Sequence, residues 1–158
     1  PNAKLVCSHR DPIKCVGSVC STAWNSMVRD CDNVDPHAIG QHWMNKTEWM
    51  LHKTLRIREE QVPARNQYDI QYADISADWQ SALGGVYEFL DMPFTDSARN
   101  GMQAWIDKNK QHKHGAHKYD LADFGLEKND VDARLMFYRE RFNIPYETRN
   151  PHLTAAAG

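Results

Sequence analysis

Apolar positions along the chain recur in two rhythms. From Ile13 they fall at Val16, Cys20, Ala23, Met27 and Cys31, the three-to-four-residue spacing that puts side chains on one face of a helix. Asp11-Pro12 stands just before them, an N-cap followed by proline at the first helical position. Lys14, Ser18, Ser21, Asn25 and Arg29 line another, polar face, and residues 30–33 break the pattern. Asp35-Pro36 repeats the start signal. Ile39, Trp43, Met50, Leu51 and Leu55 then carry a longer helix to about Glu60, ended by Val62-Pro63. The second rhythm is alternation. Residues 4–9 read as a short buried strand, and Tyr68, Ile70 and Tyr72 alternate with polar residues, so 67–73 is the second strand. Ser76 to Asp78 can cap a third helix bearing Trp79, Leu83, Val86, Tyr87 and Leu90, which Met92-Pro93 stops. Thr95 or Asp96 caps a fourth, with Ala98, Met102, Trp105 and Ile106 in register. A polar loop over 110–118 and a compact connector over 119–126 lead to a last helix, about 129–142, showing Val131, Leu135, Tyr138 and Phe142. The tryptophans and methionines sit at helical spacing and are read as core. Residues 143–158 lack periodicity and are expected to fray, with 148–158 a flexible tail.

The predicted order is strand, helix, helix, strand, three helices: an α/β chain, rich in helix, with a partial parallel sheet. Two parallel strands alone make a poor core, because such strands want both faces covered and neighbours on their edges. Residues 1–147 therefore read as part of a larger α/β domain, and a chain that enters a strand almost from Pro1 fits a fragment of a longer product. The 158 residues, 41% hydrophobic and 25% charged, are ordinary globular composition for one domain. A net charge of -2, from 19 basic against 21 acidic residues, gives no global field for nucleic acid or an anionic membrane, so any anion site is local. No apolar run approaches the roughly 20 residues of a membrane span, and no signal peptide opens the chain. Cys7, Cys15, Cys20 and Cys31 match no zinc spacing and read as reduced, buried thiols, which favours a cytoplasmic compartment while leaving an N-terminal anchor open.

Three constellations could carry chemistry. Arg10, in Ser8-His9-Arg10-Asp11-Pro12, sits where a strand ends and a helix begins, the usual place for ligands in α/β folds. A guanidinium fork suits a phosphate, and the helix N-terminus adds partial positive charge. Ser18, two turns further on, could donate one more hydrogen bond. The same pattern also suits Arg10 paired with a carboxylate and Ser18 facing water. The second constellation is 108–118, with four lysines and three histidines and no acid. It suits a multiply charged anion, with Gly115 letting backbone N–H groups approach, or simply a solvated loop. A metal on His112, His114 and His117 fits less well, because no Cys or carboxylate completes the set and the lysines repel cations. The third is Tyr72, at a strand's end, which could stack on a ring or be core. No GxxxxGK[ST], GxGxxG or GxSxG occurs, and no carboxylate pair stands out as acid/base machinery.

Four short motifs in this order resemble the sulfotransferases that use 3′-phosphoadenosine 5′-phosphosulfate, in their bacterial-type branch. They are Pro1-Asn-Ala-Lys-Leu-Val-Cys-Ser-His-Arg-Asp-Pro12 with Ser18, Tyr72-Ala-Asp-Ile75, Tyr87-Glu-Phe-Leu-Asp-Met-Pro-Phe94, and Gly115-Ala-His-Lys-Tyr119 through Asp123-Phe-Gly-Leu126. The resemblance covers the C-terminal half to two-thirds of such an enzyme and implies a P-loop-like fold. It implies that Arg10 and Ser18 hold the 3′-phosphate of the donor and that Tyr72 lies near the adenosine. By position only, Lys113, His114, Gly115 and Lys118 belong to a basic loop that closes over the 3′-phosphate. The implied reaction is direct: an acceptor hydroxyl or amine, deprotonated by a base upstream of Pro1, attacks sulfur, and 3′-phosphoadenosine 5′-phosphate leaves, with no metal required. The Gly-rich loop for the 5′-phosphosulfate is not in this sequence, so the chain by itself is expected to be inactive. The acceptor, a small molecule, glycan or lipid, is open, with His37, His42 and Trp43 as guesses for its pocket; the catalytic residues and the oligomeric state are open too. Two other classes remain: a non-catalytic nucleotide- or anion-binding module, and a helical interaction protein using Trp43, Trp49 and Met50.

Overall fold

A computed structural model describes residues 3–109 and 119–147 of the chain. Its elements run β1 (Leu5–His9), α1 (Pro12–Met27), α2 (Pro36–Gln61), β2 (Gln67–Gln71), α3 (Tyr72–Ala77), α4 (Trp79–Phe89), α5 (Asp96–Lys108) and α6 (Lys128–Phe142), with single 3-10 turns before β2 and α6. The chain divides into two compact units. One holds residues 1–9 and 55–119, the other 10–54 and 120–158.

The first unit contains the sheet. β1 and β2 pair in parallel, from Leu5 opposite Gln67 to His9 opposite Gln71. Among the described residues the sheet has these two strands alone. Leu5 and Val6 are consequently exposed, contrary to the buried strand expected, because β1 has a neighbour on one edge only. Pairing stops at Gln71 because its partner His9 is the last extended residue before Asp11-Pro12 turns the chain into a helix. Tyr72-Ala-Asp-Ile-Ser-Ala therefore does not prolong the strand but coils into α3, with Asp74 in its first turn and Ser76 Oγ donating to the Tyr72 carbonyl (2.8 Å). Asp78 ends α3 and caps α4, accepting from the amides of Gln80 and Ser81. α4 lies against β2 and α3, with the Tyr68 ring stacked on Phe89. Lys4 Nζ ties β1 to the end of α4 through the Phe89 carbonyl and Asp91 (both 2.5 Å). Thr95 caps α5 as expected. Trp105, expected in its core, is exposed. The half-buried residues Ala98, Arg99, Met102, Gln103 and Ile106 centre about 90° round the helix from it.

The second unit is helical. Asp11 caps α1 through the Ile13 amide (3.0 Å), and Pro12 takes the first helical position. Ile13, Val16 and Cys20 are buried with Ile39 and Met44 of α2, Val131 and Leu135 of α6, and Phe124 and Ile144. Gly40 allows α2 to reach Phe124: a Cβ there would lie 2.1 Å from the Phe124 carbonyl oxygen. Gly125 turns the chain in the left-handed region (φ 65°) next to His37. Four expectations fail here. Ser21, assigned to the polar face of α1, is buried. Met27 ends the helix, so Cys31 lies beyond it and is exposed, as is Cys15; only Cys20 is fully buried. Trp49 and Met50 of α2, and Met27 at the end of α1, are exposed, where core was expected. The segment 143–147 is not frayed but held in place, as described below. The basic loop 110–118 and the tail 148–158 lie outside the described residues.

Candidate functional site

Arg10 follows the last residue of β1 and precedes the N-cap of α1, so the change from strand to helix fixes its place. Its guanidinium meets Glu147 along one edge: Nε donates to Oε1 (2.7 Å) and Nη2 to Oε2 (2.9 Å). This is the two-pronged grip that Arg makes on any anion with two oxygens. Arg10 thus has the carboxylate partner that the plainer sequence reading allowed. Ser18 lies on α1 in the same unit, half-buried.

Glu147 is held there by a chain of contacts. Asp11 is 3% exposed. Its Oδ2 accepts from the Glu147 amide (2.9 Å), and its Oδ1, besides capping α1, accepts from Arg139 Nη2 (2.7 Å). Arg139, also buried, donates to Asp132 Oδ1 (3.0 Å) and to the Ile144 carbonyl (3.1 Å), and its guanidinium covers the Tyr146 ring at 3.7 Å. Tyr146 in turn donates to Asp132 Oδ2 (2.6 Å). Burial works to lower the Arg139 pKa, but the hydrogen bonds and charges of Asp11 and Asp132 outweigh it and hold the group above its ordinary value. The left-handed Asn143 (φ 51°) turns the chain out of α6 into this segment. Sequence reasoning missed the cluster because Arg139 sits within a helix pattern and Ile144 to Glu147 has no period. The one usable signal was a lone Arg in the apolar register Val131, Leu135, Tyr138, Phe142.

A second polar cluster lies in the other unit. His9, 2% exposed, is hydrogen-bonded through Nε2 to Asp69 Oδ1 (2.7 Å). Arg58 Nη2 grips both oxygens of Asp69 (2.8 and 2.9 Å), while its Nε donates to Gln67 Oε1. Burial pushes the Asp69 pKa up, yet the bonds from His9 and Arg58 prevail and hold it below the usual carboxylate value. Tyr72 belongs to this unit, at the start of α3 rather than on a strand. Of the predicted site residues, Arg10 and Ser18 thus share one unit and Tyr72 falls in the other, while Lys113, His114, Gly115 and Lys118 lie outside the described residues.

The guessed acceptor residues separate. His37 lines an open recess of about 430 Å³ with Gln41, Met44, Gly125, Leu126 and Arg134. His42 and Trp43 form an edge-on pair elsewhere on α2, with Lys46 over the Trp43 ring. Among the described residues no three His, Cys, Asp or Glu side chains are grouped to hold a metal ion, and no helix is long and apolar enough to cross a membrane. His112, His114 and His117 lie outside the described residues.

No curated protein matches the chain. Among solved structures, a sulfotransferase from Mycobacterium avium, STF9, is similar over 93% of this chain with a TM-score of 0.79 at 24% identity. STF1, a sulfotransferase from Mycobacterium tuberculosis H37Rv, is similar over 85% with a TM-score of 0.64 at 26% identity. The chain spans only 38% and 33% of those two proteins. The helix-rich α/β architecture with its small parallel sheet is thus that of part of a sulfotransferase fold. A model of the sulfotransferase family matches residues 1–96, the stretch from β1 through the cap of α5 and well over half of the chain, and this chain belongs to the sulfotransferase family.

Proposed function

We propose that the chain supplies the 3′-phosphate-binding part of a sulfotransferase that takes its sulfuryl group from 3′-phosphoadenosine 5′-phosphosulfate and passes it to a hydroxyl or amine. The observation that carries this reading is the fork of Arg10. At the junction of β1 and α1 it presents Nε and Nη2 as parallel donors to a two-oxygen anion, here the Glu147 carboxylate, and a phosphate offers the same pair of oxygens. Arg10 binds and orients the 3′-phosphate, and Ser18 adds one hydrogen bond from α1. The transfer itself is in-line attack on sulfur, and the groups that cradle the 5′-phosphosulfate and deprotonate the acceptor come from sequence outside these 158 residues. The chain alone therefore binds nucleotide without turning it over. A reducing, cytoplasmic setting belongs to the same reading and is supported by four free cysteines.

Calorimetric titration with 3′-phosphoadenosine 5′-phosphate, with 5′-AMP as control, tests the reading. The first should bind measurably and the second much more weakly. Arg10→Ala should remove that preference, a loss of roughly 1.5–3 kcal/mol for a hydrogen bond to a charged group. Equal binding of both nucleotides, or an Arg10→Ala variant that still prefers the 3′-phosphate, would overturn it. Trp49 and Met50, exposed on α2, are compatible with an interaction module instead. On that account Arg10→Ala changes nothing.

A further inference from the structure

We propose that Glu147 is an internal competitor for Arg10, so that the segment Ile144 to Glu147 sets how tightly the site takes a 3′-phosphorylated nucleotide. The proposal rests on the reading of Arg10 as a phosphate ligand. Both claimants want one edge of one guanidinium: Glu147 occupies Nε and Nη2 together, the pair of donors that a phosphate would use.

The contact is built rather than incidental. Ile144 is buried, its carbonyl is held by Arg139, the Tyr146 ring lies under the same guanidinium, and the Glu147 amide is bound to Asp11. The carboxylate is thereby kept within reach of Arg10 at a high effective concentration, so that pairing costs only the ordering of its own side chain. Charge points the same way. Three carboxylates, Asp11, Asp132 and Glu147, stand against the two guanidiniums of Arg139 and Arg10, so these pairs leave no surplus positive charge for an anion while Glu147 stays in place. A phosphate arriving while Glu147 stays in place meets a carboxylate on its own ligand.

Release needs little movement. The anchors of the segment are the Glu147 backbone amide and the side chains of Ile144 and Tyr146, none of which involves the Glu147 carboxyl group. The side chain, 26% exposed, can swing out while its backbone stays docked. Apparent affinity for a 3′-phosphate then falls by the fraction of time that Arg10 is open. A nucleotide with only a 3′-hydroxyl does not need that edge and is indifferent.

Titration of the wild-type chain and of Glu147→Gln, Glu147→Ala and Arg10→Ala with 3′-phosphoadenosine 5′-phosphate and 5′-AMP tests this, with melting temperatures to confirm that each folds. Both glutamate variants should bind the 3′-phosphorylated nucleotide about two- to fivefold more tightly, the range expected for breaking a partly exposed ion pair, with 5′-AMP unchanged. Binding that appears only in the glutamate variants supports the proposal as well. Unchanged or weaker binding in both, with Arg10→Ala still abolishing it, overturns the competition and leaves the phosphate reading of Arg10 standing. Arg10→Ala without effect, or no binding by the wild-type and glutamate variants alike, overturns that reading and the proposal together.

Discussion

Arg139 joins the N-cap of one helix to the end of another, and its removal has a definite cost. Asp11 is 3% exposed and would lose its charged partner, keeping only the Ile13 and Glu147 amides. Breaking a buried pair from one side is worth about 3–5 kcal/mol, so Arg139→Ala should lower the urea midpoint of the second unit sharply. Adding Asp11→Asn to it should recover part of the loss, because the stranded charge is gone while the amide oxygen still caps α1. A double variant no more stable than Arg139→Ala would mean that packing, not charge, dominates there. The cysteines differ in the same residue-level way. Burial pushes the Cys20 thiol up to about 11, whereas Cys31 is exposed beyond the end of α1. Alkylation at pH 8 followed by mass spectrometry should mark Cys31 in the folded chain and Cys20 only after denaturation. The helical spacing revealed the burial of Cys20. It missed the exposure of Cys31, because the same spacing runs on past Met27, where the helix stops.

At the scale of the element, α4 carries adjacent glycines with opposite surroundings. A Cβ on Gly84 would meet nothing within 4 Å, while one on Gly85 would lie 2.2 Å from the Tyr68 hydroxyl oxygen. Gly84→Ala should therefore stabilise by about 0.5–1 kcal/mol through helix propensity. Gly85→Ala should destabilise, because Tyr68 is stacked on Phe89 and cannot yield without losing that contact. Thermal melts of the two variants that move in the same direction would contradict this packing. Helices proved legible wherever a cap and a period agreed, as with Asp11, Asp78 and Thr95. Tyr72 and Ala73 are helical where a strand is expected, because alternation in sequence says nothing about whether a partner strand continues, and β1 ends opposite Gln71. Ile144 to Glu147 escapes the sequence for a related reason: single side chains on distant partners hold it, and no periodic face announces such anchoring.

Across the whole molecule, each unit holds an ion cluster that joins residues far apart in the chain. His9 meets Asp69 across 60 residues and Asp11 meets Arg139 across 128. Motif order was enough to expose the family, since short segments keep their spacing, but no local pattern encodes partners so remote. The cluster in the first unit makes folding sensitive to acid. Asp69 titrates below its ordinary value when folded, so the unfolded chain binds the proton more readily. Its contribution is complete above the unfolded value, about 3.9 for Asp, and is lost as pH falls through the folded one. Between pH 5 and 2 the urea midpoint of the wild-type chain should drop. Asp69→Asn, although weaker at neutral pH because Arg58 loses its charged partner, should show a shallower fall over that window. The slope rather than the absolute stability carries the test: parallel curves for the two chains would mean that the His9–Asp69–Arg58 cluster contributes nothing to folding that depends on its charge.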